Sequence, residues 1–192
     1  MTRSQVSLRP AEVADALFLA ELWADSLRRT DLQEQVADLE VVIKSAADSP
    51  EQRLLVAEHD GEPAGAVYLR VATVSPINLE PVVQALSPHV LPAYRRRGIG
   101  RTLMESAVAY AEELGVAHVM TAADSGSRDA NRFMARLALA PQATVRVAAT
   151  ALVRSKIEAQ RPGTGRGLTS RQRGQVLAAR RSLRRKESQA EA

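Results

Sequence analysis

The 192-residue chain contains no cysteine. This excludes a disulfide framework, a thiolate metal site and a cysteine nucleophile. Histidine is scarce: His59, His89 and His118 lie far apart, and no two have the helix or hairpin spacing of zinc ligands, so no metal is expected. No run approaches the ~18 consecutive apolar residues of a spanning helix. The opening residues MTRSQVSLRP hold no apolar stretch suited to a signal peptide. A cytoplasmic protein with no membrane partner is the expectation.

What is present is an ordinary globular composition, 45% apolar, in a length that fits one domain plus an extension. The net charge of +4 hides an asymmetry. Residues 151–192 hold eleven bases and three acids, a net +8, which leaves −4 for residues 1–150. The body is mildly acidic and the tail strongly basic, as in chains whose appendage meets a polyanion.

Hydrophobic periodicity lays out the elements. Residues 5–9 alternate as a strand, and a helix is expected from Pro10, with Val13, Leu17, Ala20, Ala24 and Leu27 as its stripe. Asp31 reads as the cap of a second helix, whose stripe is Leu32, Val36, Leu39, Ile43 and Ala46. Strands over 53–58 and 64–74 flank Asp60-Gly61, a strong hairpin signal. Residues 75–81 are expected as a loop. Val82–Leu91 reads as a strand that Pro88 should bulge or break. A long helix begins at Gly98 or Gly100 and stops at Gly115, with Leu103, Ala107, Tyr110 and Leu114 on its apolar face. A strand over 118–122, a helix over 129–138, a strand over 144–149 and a short helix over 150–159 complete the reading. Beyond them lie a glycine-bearing linker over 161–170 and a basic helix over 175–186.

The chemistry-bearing segment is VLPAYRRRGIGRTLM, residues 90–104. A strand ends, Pro92 fixes the exit, three arginines follow, and two glycines open a helix. The first turn of a helix leaves main-chain N–H groups unpartnered, and with the macrodipole they suit a phosphate. Gly98 and Gly100 admit a diphosphate close to the backbone, and Arg95, Arg96, Arg97 and Arg101 surround it with positive charge. A dinucleotide fingerprint would need glycine at Leu103, and a P-loop would need Gly-Lys-Ser/Thr. Neither is met.

Arg95-Arg96-Arg97-Gly98-Ile99-Gly100 resembles the acetyl-CoA signature R/Q-x-x-G-x-G/A of the GNAT N-acetyltransferase superfamily, and Val90-Leu91-Pro92 and Tyr94 resemble its approach. The likeness extends over about residues 3–149, taken as the acetyl-CoA-binding domain, with 150–192 as a basic helix and flexible tail. It implies an α+β fold of three α/β/α layers, a mixed sheet flanked by helices. It further implies acetyl-CoA as co-substrate, bound by Arg95 to Arg101 through their main chain and charges, with Val90 and Leu91 offering backbone bonds to the pantetheine arm. Ser127 and Asn131 could also bind the cofactor.

The likeness fails at two catalytic positions. The carboxylate usual on the strand before the signature corresponds to Gln84, which cannot act as a base. His89, Glu80 or a water relay could replace it; the ordinary imidazole pKa of ~6.5 suits the task. The tyrosine usual on the later helix is replaced by Met134, a core-type residue. A thiol of pKa ~8.5 still leaves tolerably as the thiolate.

Two functions stay open. One is acetyl transfer from acetyl-CoA to a primary amine of a small molecule or protein. The other is a non-catalytic acyl-CoA sensor or regulator. In either case Arg171–Lys186 could make weak, salt-dependent contact with nucleic acid or the ribosome, without aromatic stacking. A homodimer is compatible with the sequence.

Overall fold

The structure, a computed structural model, describes residues 5–123 and 126–160. Of these, the residues up to Gln142 belong to one compact unit, and 143–160 to a second.

The first unit is built on a five-stranded sheet in the order β1 (Val6–Pro10), β2 (Gln52–His59), β3 (Glu62–Ser75), β4 (Asn78–Val90) and β5 (His118–Thr121). The first four strands are antiparallel neighbours, and β5 lies parallel to β4. A parallel neighbour requires a crossover, and the long helix α3 (Ile99–Leu114) supplies it. Helices α1 (Ala16–Leu22) and α2 (Leu32–Ala47) cover the opposite face, and α4 (Arg128–Arg136) follows β5. This is the mixed sheet with helices on both faces that the element order predicts.

Strand alternation divides the core in two. Val67, Leu69, Val83 and Ala85 pack under Ile99, Leu103, Ala107 and Tyr110 of α3. Leu54, Val56 and Ala66 pack under Leu19, Trp23, Leu39 and Ile43 of α1 and α2. The Tyr110 hydroxyl, deep in the first cluster, donates to the Pro50 carbonyl at 2.8 Å. Arg9 secures the start of the second layer. Its guanidinium grips both Asp15 oxygens, at 2.7 and 2.8 Å, and reaches Glu58 at 2.6 Å. The bidentate bond to Arg9 holds the Asp15 carboxyl below its ordinary pKa against the opposing effect of burial.

Several local expectations hold at residue level. Asp31 caps α2 by accepting from the Glu34 amide at 2.8 Å. Asp60 (φ 55°) and Gly61 (φ 86°) make the tight β2–β3 turn, both in the left-handed region that a type I′ hairpin demands. Gly98 and Gly115 bracket α3, both left-handed. Pro88 marks a bulge: Tyr68 pairs with Leu86 and Ala66 with His89, so Val67 alone faces Ser87 and Pro88.

Other expectations change. Pro10 ends β1 rather than opening a helix. The α1 helix is entered through a 3₁₀ turn at Val13–Asp15. The tighter winding rotates the buried face to Ala16, Leu19, Ala20 and Trp23, leaving Val13, Leu17 and Ala24 exposed. Leu32 and Leu114, at the first and last turns of their helices, are also exposed. The loop expected over 75–81 contracts to Pro76-Ile77, because Pro81 joins the ladder opposite Thr73. Proline is tolerated there because the β5 ladder begins only at Val82. No strand forms over 144–149: alternation makes a strand only where an edge receives it. These residues make no ladder and are exposed, Val145 at 86% and Val147 at 91%. The second unit contains α5 (Thr150–Gln160), close to the short helix expected there. The linker and basic helix expected beyond residue 160 lie outside the described residues.

No helix among the described residues is long and apolar enough to cross a membrane. No cluster of three or more histidine, aspartate or glutamate side chains among them could hold a metal ion.

Candidate active site

The site forms where β5 stops pairing with β4. β5 pairs with β4 only from Val82 to Ala85, and the Thr121 hydroxyl closes that ladder on the Ala85 carbonyl at 2.8 Å. β4 continues to Val90 against β3 alone. Its outer main-chain edge over Leu86–Val90 therefore has no strand partner among the described residues. The chain then turns through a 3₁₀ turn at Pro92–Tyr94 into the arginines and α3.

Gly98 has φ 87° and Arg96 has φ 65°. Two left-handed residues fold the arginine segment back on the start of α3. The Gly98 carbonyl accepts from the amides of Arg101 (2.9 Å) and Thr102 (3.1 Å), while Ile99 and Gly100 sit in the first turn, whose amides have no intrahelical acceptor. The Ile99 side chain is buried in the α3 core, so it anchors the helix and leaves only its main chain at the site. Arg95, Arg96 and Arg97 are exposed. Arg95 reaches back to the Val90 carbonyl at 3.4 Å, and Arg97 lies 5.7 Å from the Tyr94 ring centroid. Arg101 is drawn along the helix by Glu105 at 2.7 Å.

The close approach of β3 and β4 depends on Gly65, whose importance only the register reveals. A Cβ there would lie 2.5 Å from the His89 carbonyl oxygen. Gly100 is less constrained, since a Cβ would meet Phe133 and Val90 at 3.7 and 3.9 Å, ordinary contact distances. Trp23, the chain's single tryptophan, donates from Nε1 to the Ser87 carbonyl at 2.9 Å and so ties the bulge to α1.

The two base candidates are far apart. Glu80 pairs with His118 Nδ1 at 3.0 Å at the other end of β4. His89 comes nine positions further along the strand, roughly 30 Å at the usual rise. His89 lies half-buried beside the bulge, opposite Ala66. Burial, then the Arg95 charge, pushes its pKa below the ordinary value against a weaker pull from Asp25. It is therefore neutral at pH 7 and able to accept a proton. Gln84 is almost wholly buried and accepts from Arg70 Nε at 2.7 Å, an arrangement the sequence alone did not disclose. Met134 is buried, as its side chain suggests. Ser127 caps α4 by accepting from the Ala130 amide at 3.3 Å, and Asn131 Nδ2 donates to the Ser127 carbonyl at 2.8 Å. Both residues thus shape the start of α4, the helix whose Phe133 lies against Gly100.

Residues 17–139 match the sequence pattern of the Acetyltransferase (GNAT) family, well over half of the chain. The chain belongs to the GNAT acetyltransferase family. Solved structures agree on the GNAT fold. A transcriptional regulator from Bacillus halodurans C-125 gives a TM-score of 0.64 at 21% identity, covering 75% of this chain and 99% of its own. An aminoglycoside N-acetyltransferase in complex with CoA gives 0.63 at 16% identity, covering 78% and 98%. Glucosamine-6-phosphate N-acetyltransferase from Arabidopsis thaliana gives 0.59 at 15% identity, covering 76% and 99%. No curated protein sequence matches the chain.

Proposed function

We propose that this GNAT chain binds acetyl-CoA and transfers its acetyl group to a primary amine. One juxtaposition carries the reading: the left-handed turn that opens α3 lies directly after the unpaired edge of β4. The first-turn amides of α3 suit a diphosphate, with Arg95, Arg96 and Arg97 supplying charge. The outer edge over Leu86–Val90, which no strand covers and where only Trp23 and Arg95 reach the Ser87 and Val90 carbonyls among the described residues, suits a polar, amide-bearing arm that adds like a strand. The CoA bound by a structural neighbour of the same fold supports this assignment.

When bound, acetyl-CoA supplies the thioester whose C–S bond is exchanged for a C–N bond to the amine. The chain's own part is to orient the amine, relieve it of a proton and shelter the reacting atoms. His89, neutral and beside the bulge, accepts the ammonium proton directly or through one water and returns it to solvent. The departing thiolate needs no dedicated acid near neutral pH, which accommodates Met134. Orientation beside the β4 edge supplies a large part of the acceleration. Glu80, engaged with His118 at the far end of β4, takes no part.

A second reading, an acyl-CoA-binding regulator without turnover, draws on two observations. Gln84 fills the place of the usual carboxylate, and Met134 that of the usual tyrosine. Titration calorimetry with acetyl-CoA, followed by thiol-release assays over a panel of amines, decides between them. Affinity with turnover establishes the transferase. Affinity without turnover on any amine establishes the regulator. No affinity removes both.

A further inference from the structure

On the face of β4 that looks toward α1 and α2, Arg70 and Gln84 are directly opposed across the β3–β4 ladder. The Arg70 Nε–H···Oε1 bond at 2.7 Å fixes the orientation of the Gln84 amide, because only its oxygen can accept from arginine. The amide nitrogen of Gln84 then makes no bond within the protein among the described residues. No buried side-chain nitrogen or oxygen among them lacks a partner, so this nitrogen reaches solvent. Arg70 is exposed, and its two terminal nitrogens meet no protein acceptor among the described residues. The pair therefore presents several N–H donors and one fixed positive charge, against a single remaining lone pair on Gln84 Oε1. No carboxylate among the described residues forms a salt bridge with Arg70, and Glu80 on the same strand as Gln84 is paired with His118.

Donors plus a cation, held in fixed register, complement an oxyanion. They repel a second ammonium. From this geometry we propose that Arg70 and Gln84 select amine acceptors that carry a carboxylate or phosphate in addition to the amine. This rests on the transferase reading for its placement beside the acetyl group, and it adds the chemical class of the acceptor. Gln84 is then a recognition group standing where a base is absent.

The test is a binding measurement with and without saturating coenzyme A. The probes are glycine, 4-aminobutyrate and 6-aminohexanoate against alkylamines of equal length, and O-phosphoethanolamine against ethanolamine. At least one anionic member should bind about tenfold or more tightly than its partner, as expected for charge-assisted bonds. The carboxylate and phosphate arms tell which oxyanion is preferred. Raising the salt should shrink the preference, which can be read on the unaltered protein. R70Q should abolish it while leaving coenzyme A affinity unchanged, and R70K should keep only part of it, since lysine retains the charge without the fork. Equal or tighter binding of the uncharged-tail amines under both conditions overturns the proposal. Loss of coenzyme A affinity in the unaltered protein would instead strike the transferase reading.

Discussion

Gly65→Ala isolates the role of strand spacing at the site. The added Cβ would sit 2.5 Å from the His89 carbonyl oxygen and 3.3 Å from the Val90 Cα. Both are backbone atoms of β4, so no side-chain rotation relieves the contact. Relief requires β3 and β4 to part by about half an ångström at His89 and Val90, on the edge proposed to take the cofactor. Overpacking of this kind costs about 1–3 kcal/mol. At roughly 2–4 °C per kcal/mol for a domain of this size, Tm should fall by about 2–12 °C. The displaced His89–Val90 segment should also weaken coenzyme A binding. Gly100→Ala is the matched control for stability: its Cβ meets only Phe133 and Val90 at van der Waals distance, and alanine suits a helix at least as well as glycine, so Tm should not fall. Differential scanning calorimetry and titration calorimetry on the two variants read both quantities. A Gly65→Ala protein with unchanged Tm and unchanged coenzyme A affinity would refute the argument that close strand approach shapes the site.

Three further perturbations probe other parts of the site. Gly98→Ala forces a Cβ into a φ of 87°, a conformation that costs an L-residue about 1–2 kcal/mol; stability and coenzyme A affinity should both fall in a melt and a titration. His89→Gln should lower kcat/KM about 100-fold or more if His89 is the base. In the unaltered protein, activity should rise with pH through a midpoint below the ordinary histidine value, and the variant should lose that limb. The same lowered pKa makes the unfolded chain bind the proton more readily than the folded one. Stability should therefore decline as pH falls through ~6.5 and level off below the folded-state pKa, and His89→Gln should remove that decline. Trp23→Phe keeps one aromatic ring in the core but deletes the bond to the Ser87 carbonyl and part of the buried indole. It should cost at least about 1 kcal/mol and speed amide exchange around Ser87 and His89.

Much of this architecture was legible because its causes are local. Asp31, Asp60-Gly61, Gly98 and Gly115 each act through a side-chain acceptor or a backbone conformation that neighbours cannot change. The arginine turn was legible for the same reason. What escaped depends on register. Arg70 and Gln84 are fourteen residues apart, and only the ladder makes them partners. Gly65 carried a signal, an isolated glycine in a strand, which points to close backbone approach. Its partner in that approach is the distant His89. The 3₁₀ entry to α1 and the failure of residues 144–149 to pair were also decided by tertiary surroundings rather than by apolar spacing.

Pro88 connects the legible and the illegible parts. In an unbroken strand, residues five apart point to opposite faces, which would send His89 into the apolar layer under α3 while Gln84 faced α1 and α2. The bulge at Ser87 and Pro88 adds one residue to β4 and reverses that parity. His89 then stands opposite Ala66, whose side chain belongs to the α1–α2 layer, as Arg70 stands opposite Gln84. The same extra residue allows Val90 to return to the α3 layer beside Gly65, in step with the helix that opens at Gly98. One inserted residue thus brings His89 to the α1–α2 side while keeping the arginine turn docked on the α3 side. Its position is held by the Trp23 bond from α1 to the Ser87 carbonyl. In the transferase proposed above, the acceptor face and the cofactor turn would be coupled through this single backbone irregularity, which predicts that substitutions at Trp23 will disturb amine and coenzyme A affinities together.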